Sequence, residues 1–578
     1  MSPPTPAADP VQAEALAAAL VERFGNYNAR FGAVTRRAQA RFEARDWAGA
    51  RADAVERIGL YDRCIAEAAQ WLEATLGEQA RHRPLWRAVR DRYAVRIAPL
   101  LDQELNKTFF NTLTRRFFKT RGVDAELEFI ALDIEPTDRI THPVERHSHA
   151  IGEATVAGFR QVLEAFRFQR PWAHIGVCAG GLARTLEQRL APDWGERAVR
   201  AVELLDTVFY RERRAYLVGR VFGESRFAPL VVALVNGEQG LEVDAVLTER
   251  PHVAQLFGFT QSYFHADLAT VGDAVVFLRS LLPDKAVDEI YTVLGRAKQG
   301  KTERYRHFFR HLARSGEEKL QHADGERGMV MAVFTLPSYP LVFKLIRDRF
   351  APPKDTVREQ VQAKYDLVFK HDRVGRLVDA QEFRWLRFPK RQFTPELRAE
   401  LLEECRESVS EVGEDLMVHH CYVERRLRPL NLHVREREPA QALAAVLDYG
   451  QAIKDLARSG IFPGDLLLKN FGVTRNGRAI FYDYDELCLL EECRFRSEPE
   501  PRNEEEEMSA GAWYYVAAND VFPAQFLRFL GLPPPLAQAL EQEHGDIFNV
   551  DWWRRLQADQ ASGALADIAP FPDAARLR

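Results

Sequence analysis

The chain has 578 residues, more than one hydrophobic core can serve, so two or three domains are expected. Hydrophobic residues make up 46% and charged residues 28%, the make-up of a soluble globular protein. A net charge of −5 excludes wholesale binding to nucleic acid or to an anionic membrane surface, since both demand a basic excess.

The first ten residues carry neither a basic stretch nor an apolar core, so no secretory signal is expected, and no apolar run reaches bilayer length. Residues 11–46 place Leu16, Leu20, Val21, Phe24 and Phe31 at helical spacing. Asp46 is the expected N-cap of a second long helix carrying Val55, Ile58, Ile65, Trp71 and Leu72. A third helix is expected from about Pro84 into Leu105, giving packed antiparallel helices. The basic and aromatic stretch 111–119 holds Arg115, Arg116, Phe117, Phe118 and Lys119. It reads as an amphipathic element with an aromatic core face, or as a phosphate or partner site.

Between 215 and 249 the period changes to two. Residues 216–221 and 230–235 are β-branched and apolar, Asn236-Gly237 is a hairpin turn, and 241–247 resumes as strand. A small antiparallel insertion in a helical half is expected, with helix returning over 269–313. The polar, turn-rich run SGEEKLQHADGE from Ser315 marks a boundary, which places a first domain at 1–315 and a second at 316–578. The acidic run 497–507 reads as an exposed loop, and helix returns over 521–553. The six cysteines, Cys64, Cys178, Cys405, Cys421, Cys488 and Cys493, form no C-x-x-C pair and read as reduced thiols of a cytoplasmic protein. Cys488 and Cys493 are the nearest pair, without the neighbours that a zinc site needs.

Four pieces of the second half fall in a telling order. Gly325 and Gly328 stand three apart before a strand-like run, a turn that lets backbone N–H groups approach a polyphosphate. Lys344 ends the apolar run Leu341-Val-Phe-Lys, where an ammonium would pair the α/β-phosphates. Asp465 and Asn470 have the spacing of a kinase catalytic loop, with the Asp as base for the attacking hydroxyl and the Asn as metal ligand. Asp483 follows thirteen residues after Asn470 at the end of an apolar strand, the place of the second metal-binding oxygen. An Asn476-Gly477 turn would bring both ligands to one end of a ribbon. Each piece alone has a bland reading; the ordered set points to phosphoryl transfer, which depends on positioning and charge neutralisation.

These motifs depart from ordinary protein kinases: Pro463-Gly464-Asp465 stands for His-Arg-Asp, and Asp483-Tyr-Asp485 for Asp-Phe-Gly. The strings GMVMAVFTLPSYPLVFKLIRDRFAPPK, HDRVGRLVDAQEF, IFPGDLLLKNFGVTR, FYDYDE and ELNKTFFNTLTRRFF resemble the bacterial bifunctional isocitrate dehydrogenase kinase/phosphatase family over essentially the whole chain. The resemblance implies an α+β protein: a bilobal protein-kinase-like domain preceded by a mostly helical regulatory domain with a small antiparallel β insertion. It further implies ATP/ADP and Mg²⁺ as cofactors, AMP as an allosteric effector bound near the junction, a serine of isocitrate dehydrogenase as substrate, control of the glyoxylate bypass, and a homodimer. By motif, Ala323, Asp324, Gly325, Glu326, Arg327, Gly328, Met329 and Lys344 would bind ATP. Asp379 would be tied to dephosphorylation, Asp465 would be the kinase base, and Asn470 and Asp483 would hold the metal. Lys469 would neutralise the transferring phosphoryl group and Asp485 would assist. From the residues alone, Asp379 reads equally well as a helix N-cap.

Two other readings stand beside this one. A small-molecule kinase of aminoglycoside-phosphotransferase type shares the Gly-Asp-x-x-x-x-Asn pattern but needs no large helical first half. A non-catalytic nucleotide-binding scaffold has no use for the base. The glutamate that partners Lys344 is expected in 357–364, with Glu359 the choice.

Overall fold

A computed structural model describes residues 9–130, 144–153, 155–195, 198–258, 263–351, 354, 356–371, 374–499, 514–564 and 566–577. Most of the acidic run 497–507 therefore lies outside the described residues. Chain contacts divide the molecule into two compact units, Met1–Gly316 with Phe571–Arg578, and Glu317–Pro570. The last eight residues thus group with the first unit, where Leu577 N donates to Asp244 O and Arg576 pairs with Asp244.

The first unit begins with α1 (Pro10–Glu43) and α2 (Trp47–Leu76), joined by a turn at which Asp46 accepts from Gly49 N, as its N-cap role requires. The buried face of α1 repeats at helical spacing through Leu16, Leu20, Phe24, Tyr27, Phe31, Val34 and Phe42. The single helix expected over 84–105 is two, α3 (Arg83–Ile97) and α4 (Gln103–Phe118). Asp102 causes the break. It sits in the left-handed region at φ 53°, and its carboxylate accepts from Val271 N and Gly272 N, 2.8 Å each. A helix passing through 102 would forfeit that cap. The aromatic stretch 111–119 falls mostly on α4, with Leu113 and Phe117 buried and Arg115 bonded to the buried Glu128.

The β insertion is a full antiparallel sheet of β1 (Arg146–Ala150), β2 (Ala201–Leu205), β3 (Phe209–Arg211), β4 (Arg214–Phe222), β5 (Phe227–Asn236) and β6 (Leu241–Leu247). Its path runs β1-β2-β4-β5-β6, with β3 added on β4. Helices α5 (Thr155–Glu164) and α6 (Ile175–Trp194) share its apolar core through Phe159, Leu163, Leu182 and Leu186. The remaining elements are α7 (Arg250–Leu256), α8 (Val271–Leu281), α9 (Val287–Val293) and α10 (Ala297–Arg314), so the helical pattern from 269 is three helices.

The second unit has two lobes. The first is a six-stranded antiparallel sheet of β7 (Gln321–His322), β8 (Met331–Thr335), β9 (Leu341–Ile346), β10 (Gln381–Pro389), β11 (Val409–Val412) and β12 (Asp415–Arg425). It runs β10-β12-β9-β8-β7 and carries α11 (Arg358–His371) and α12 (Pro395–Glu404). The second is mostly helical, built on α13 (Leu430–Glu436), α14 (Pro439–Arg458) and the helices Pro534–His544 and Val550–Ala561. Short strands run through it: β13 (Arg428–Pro429), β14 (Ile461–Phe462), β15 (Phe471–Val473), β16 (Ala479–Phe481) and β17 (Cys488–Leu489). A core of Val446, Tyr449, Ile453, Leu456, Ile461, Phe471, Phe481 and Trp553 fixes them from below. No helix of the described residues is long and apolar enough to cross a membrane.

Candidate active site

A cavity of about 750 Å³ opens between the sheet and the ribbons of the second unit, a volume suited to a nucleotide. Its lining includes Ala323, Asp324, Gly325, Glu326, Arg327, Gly328, Met329 and Lys344 from the sheet lobe, and Asp465, Lys469, Asn470, Asp483 and Asp485 from the other. Asp379 is not among the lining residues. It lies in the segment leading into β10, with Val378 N donating to Phe481 O and Tyr484 Oη donating to Val378 O. The element after Asp379 is a strand, so the helix N-cap reading fails: there is no helix there to cap.

The glycine turn joins β7 to β8. Gly325 adopts φ 114°, a backbone that side-chain-bearing residues avoid. Asp324 pairs with Arg428 at 2.7 Å, and Glu326 pairs with Lys469 at 3.0 Å. The turn of the sheet lobe is therefore tied across the cleft to the second lobe of its own unit. Lys469 reaches a carboxylate that an incoming phosphoryl group would have to displace, and both partners are solvated enough for the exchange to cost little.

Lys344 follows from strand geometry. In β9 it stands opposite Tyr422 of β12, while Val342 stands opposite Glu424. Cross-strand partners share a face, so Lys344 and Glu424 are diagonal neighbours, within reach of two long side chains. They meet at 2.7 Å, both nearly buried. Lys344 also donates to Tyr482 O at 2.7 Å and lies 5.1 Å from the Tyr482 ring centre. Burial raises the Glu424 carboxyl, and Lys344 opposes that rise. The lysine's partner is thus Glu424, not Glu359, which is exposed at the start of α11. What α11 supplies instead is Tyr365, whose hydroxyl stands 3.4 Å from Glu424 and whose ring stacks on Tyr422 at 3.7 Å.

The catalytic-type loop is rigidly seated. Gly464 has φ 83°, and a Cβ there would come within 2.4 Å of Glu486 O, so only glycine lets this loop pack on the segment after Asp485. Asp465 Oδ1 accepts from Leu467 N at 2.9 Å. Asn470 Nδ2 donates to Asp465 O at 3.3 Å, which leaves the amide oxygen as acceptor. Tyr449 of α14 donates to Leu466 O, while Leu466 and Leu468 anchor the loop in the core. Asn470 O accepts from Tyr482 N, and Tyr482 Oη donates to Lys469 O, so the ends of β15 and β16 next to Asn470 and Asp483 are cross-linked. The intervening turn spans 474–478, longer than a two-residue Asn-Gly hairpin, and closes with Thr474 N on Arg478 O.

Asp485 is pushed up to about 7, first by burial and then by Asp483, to which it is hydrogen-bonded; Lys354, 3.7 Å away, opposes the shift. Two crowded carboxylates and an amide oxygen facing one cavity are hard donors short of positive charge, a set that fits a divalent cation. Lys354 donates to Glu486 at 2.5 Å and, like Glu424, was not picked out in the sequence. An acid inside an apolar strand and a lysine after Pro352-Pro353 were the available signals.

A two-lobed unit of this kind, with a strand lysine in a buried ion pair and a loop aspartate, an amide and two further carboxylates across a nucleotide-sized cleft, is a protein-kinase-like phosphotransferase. Comparison with known proteins makes this specific. Residues 318–573 match the model described as isocitrate dehydrogenase kinase/phosphatase (AceK) kinase domain, and 17–316 match the regulatory domain of the same description. The isocitrate dehydrogenase kinase/phosphatase of Xanthomonas euvesicatoria pv. vesicatoria is 58% identical over 100% of this chain and 99% of its own. Proteins of the same name from Anaeromyxobacter sp. and Anaeromyxobacter dehalogenans are 45% and 43% identical, over 98% and 96% of each chain. The chain belongs to the isocitrate dehydrogenase kinase/phosphatase family, and its second unit is an ATP-using kinase domain.

Proposed function

We propose that this chain transfers the γ-phosphoryl group of ATP to a serine of isocitrate dehydrogenase, removes that phosphate again, and carries out both reactions in the cleft of its second unit. The observation that supports a single site is the convergence of Lys344, Asp465, Asn470 and Asp483 on one cavity. The full-length relatives that carry the name support the substrate.

In this reading the base enters the apolar end of the cavity, between Val333, Val342 and Leu427, and the polyphosphate lies under the turn at 323–329. Lys344, oriented by Glu424 and Tyr482 O, pairs the α/β-phosphates. Asp465 accepts the proton of the attacking serine hydroxyl, held for that role by its own loop. Lys469 leaves Glu326 to neutralise charge building on the transferred group. Asn470 and Asp483 would hold Mg²⁺, which when bound neutralises the β- and γ-phosphate oxygens. Asp485, beside Asp483 and 3.7 Å from Lys354, assists in either direction.

Asp379 acts in dephosphorylation; it stands outside the cavity lining, next to the Val378 anchor to β16. AMP acts through the regulatory unit as an allosteric effector. The protein works in the cytoplasm as a homodimer at the branch to the glyoxylate bypass. A small-molecule kinase is not favoured, because the family match runs through both units.

Labelled ATP and purified isocitrate dehydrogenase test the proposal. Label should enter the dehydrogenase, and the Asp379→Ala variant should still insert it but fail to remove it. An Asp379→Ala enzyme that dephosphorylates at the unaltered rate would overturn that residue's role.

A further inference from the structure

The two cysteines nearest in sequence are also in contact in space. Cys488 lies on β17 and Cys493 just past the turn 490–492, with Sγ atoms 3.5 Å apart. Cys493 is buried and Cys488 half-buried. The other four thiols are buried, Cys405 and Cys421 completely. We propose that Cys488 and Cys493 form a peroxide-oxidisable dithiol, and that their disulfide slows phosphoryl transfer.

The chemistry needs one co-reactant, a peroxide. The Cys488 thiolate attacks one peroxide oxygen; an S–O bond forms, the O–O bond breaks, and the second oxygen leaves as water or an alcohol after taking a proton. The sulfur of Cys493 then attacks the resulting sulfenic acid. An S–S bond forms, the S–O bond breaks, and hydroxide leaves as water with the Cys493 proton. Two thiols lose two electrons, and the peroxide gains them. The hydrogen bond between the two sulfurs favours a thiolate on the one that attacks, and Cys488 is the less buried residue of the pair. Burial pushes up the thiols of Cys64, Cys178 and Cys405.

The consequence for catalysis follows from where the pair sits. Cys488 is the strand partner of Phe462, three residues before Asp465, and Leu490 N donates to Gly460 O at 2.8 Å. Bonding requires the sulfurs to close to about 2.0 Å. That closure pulls on β17, hence on β14 and the loop that holds Asp465. Gly464 of that loop packs closely on Glu486, two residues before Cys488.

The test uses the full chain, treated with hydrogen peroxide, alkylated and mapped by peptide mass. Linked peptides carrying Cys488 and Cys493, lighter by two hydrogens, are expected, together with a several-fold loss of phosphate transfer that dithiothreitol reverses. Cys488→Ser and Cys493→Ser should keep the untreated activity and resist the loss. Alkylation of both thiols after peroxide would overturn the site. Equal inactivation of the serine variants, or a disulfide that leaves activity unchanged, would overturn its control of catalysis. Mass mapping of the bond is independent of the nucleotide-site reading, so the two can fail separately.

Discussion

Each unit of the protein buries an ion pair on an antiparallel sheet, and the two pairs do different work. In the first unit Arg214 of β4 reaches Asp244 of β6 at 2.8 Å, and Asp244 also receives Arg576 at 2.9 Å. In the second, Lys344 of β9 meets Glu424 of β12 at 2.7 Å, but this pair lies on the wall of a 750 Å³ cavity. Desolvation makes both expensive to form and worse to break. The difference is what the cation can still do: the arginine is committed to its sheet, whereas the ammonium has a free approach from the cleft. Burial of charge alone is thus no sign of function; burial of charge against an open, nucleotide-sized volume is.

This contrast can be broken by experiment. Lys344→Met should cost about 10³-fold in phosphate transfer, the upper end for loss of one preorganised donor, while leaving the melting curve of the first unit in place. Steady-state kinetics beside calorimetry would show it; a variant within a few-fold of full activity would erase the distinction. Arg214→Met should do the reverse. It leaves Asp244 buried with Arg576 alone and should lower stability by about 3 kcal/mol, read by urea unfolding, with ATP binding retained.

A third buried cluster sharpens the comparison. Glu303, fully buried in α10, is raised to about 7, first by burial; Arg306 opposes the rise but is shared with Glu104. Because the folded state keeps a proton that the unfolded chain releases near 4.5, this group's contribution weakens as pH rises from about 4.5 to 7 and stays low above that. Glu303→Gln should therefore gain stability at pH 8 relative to pH 5, on the order of 2 kcal/mol. Unfolding midpoints at the two pH values measure it, and an equal effect at both would refute the raised carboxyl.

The sequence made the motif-bearing side of the cleft legible, because Gly325, Lys344, Asp465, Asn470 and Asp483, which line one cavity, stand in short local patterns in a telling order. It did not reveal Glu424, which becomes the partner of Lys344 only through the β9–β12 register, eighty residues along the chain. Helical periodicity recovered α1 and α2, but not the break at 102, since the reason for it is a cap on a helix that begins at Val271. The Asn-Gly signals marked the right turns but not their lengths, which the surrounding strands set. Local chemistry was readable; diagonal and long-range pairings were not.

The claim that one cleft serves both directions is tested most directly by Asp483→Asn, assayed for phosphorylation of isocitrate dehydrogenase and for dephosphorylation of its phosphorylated form. Loss of both reactions together is the predicted result. Full dephosphorylation alongside abolished phosphorylation would contradict a shared site.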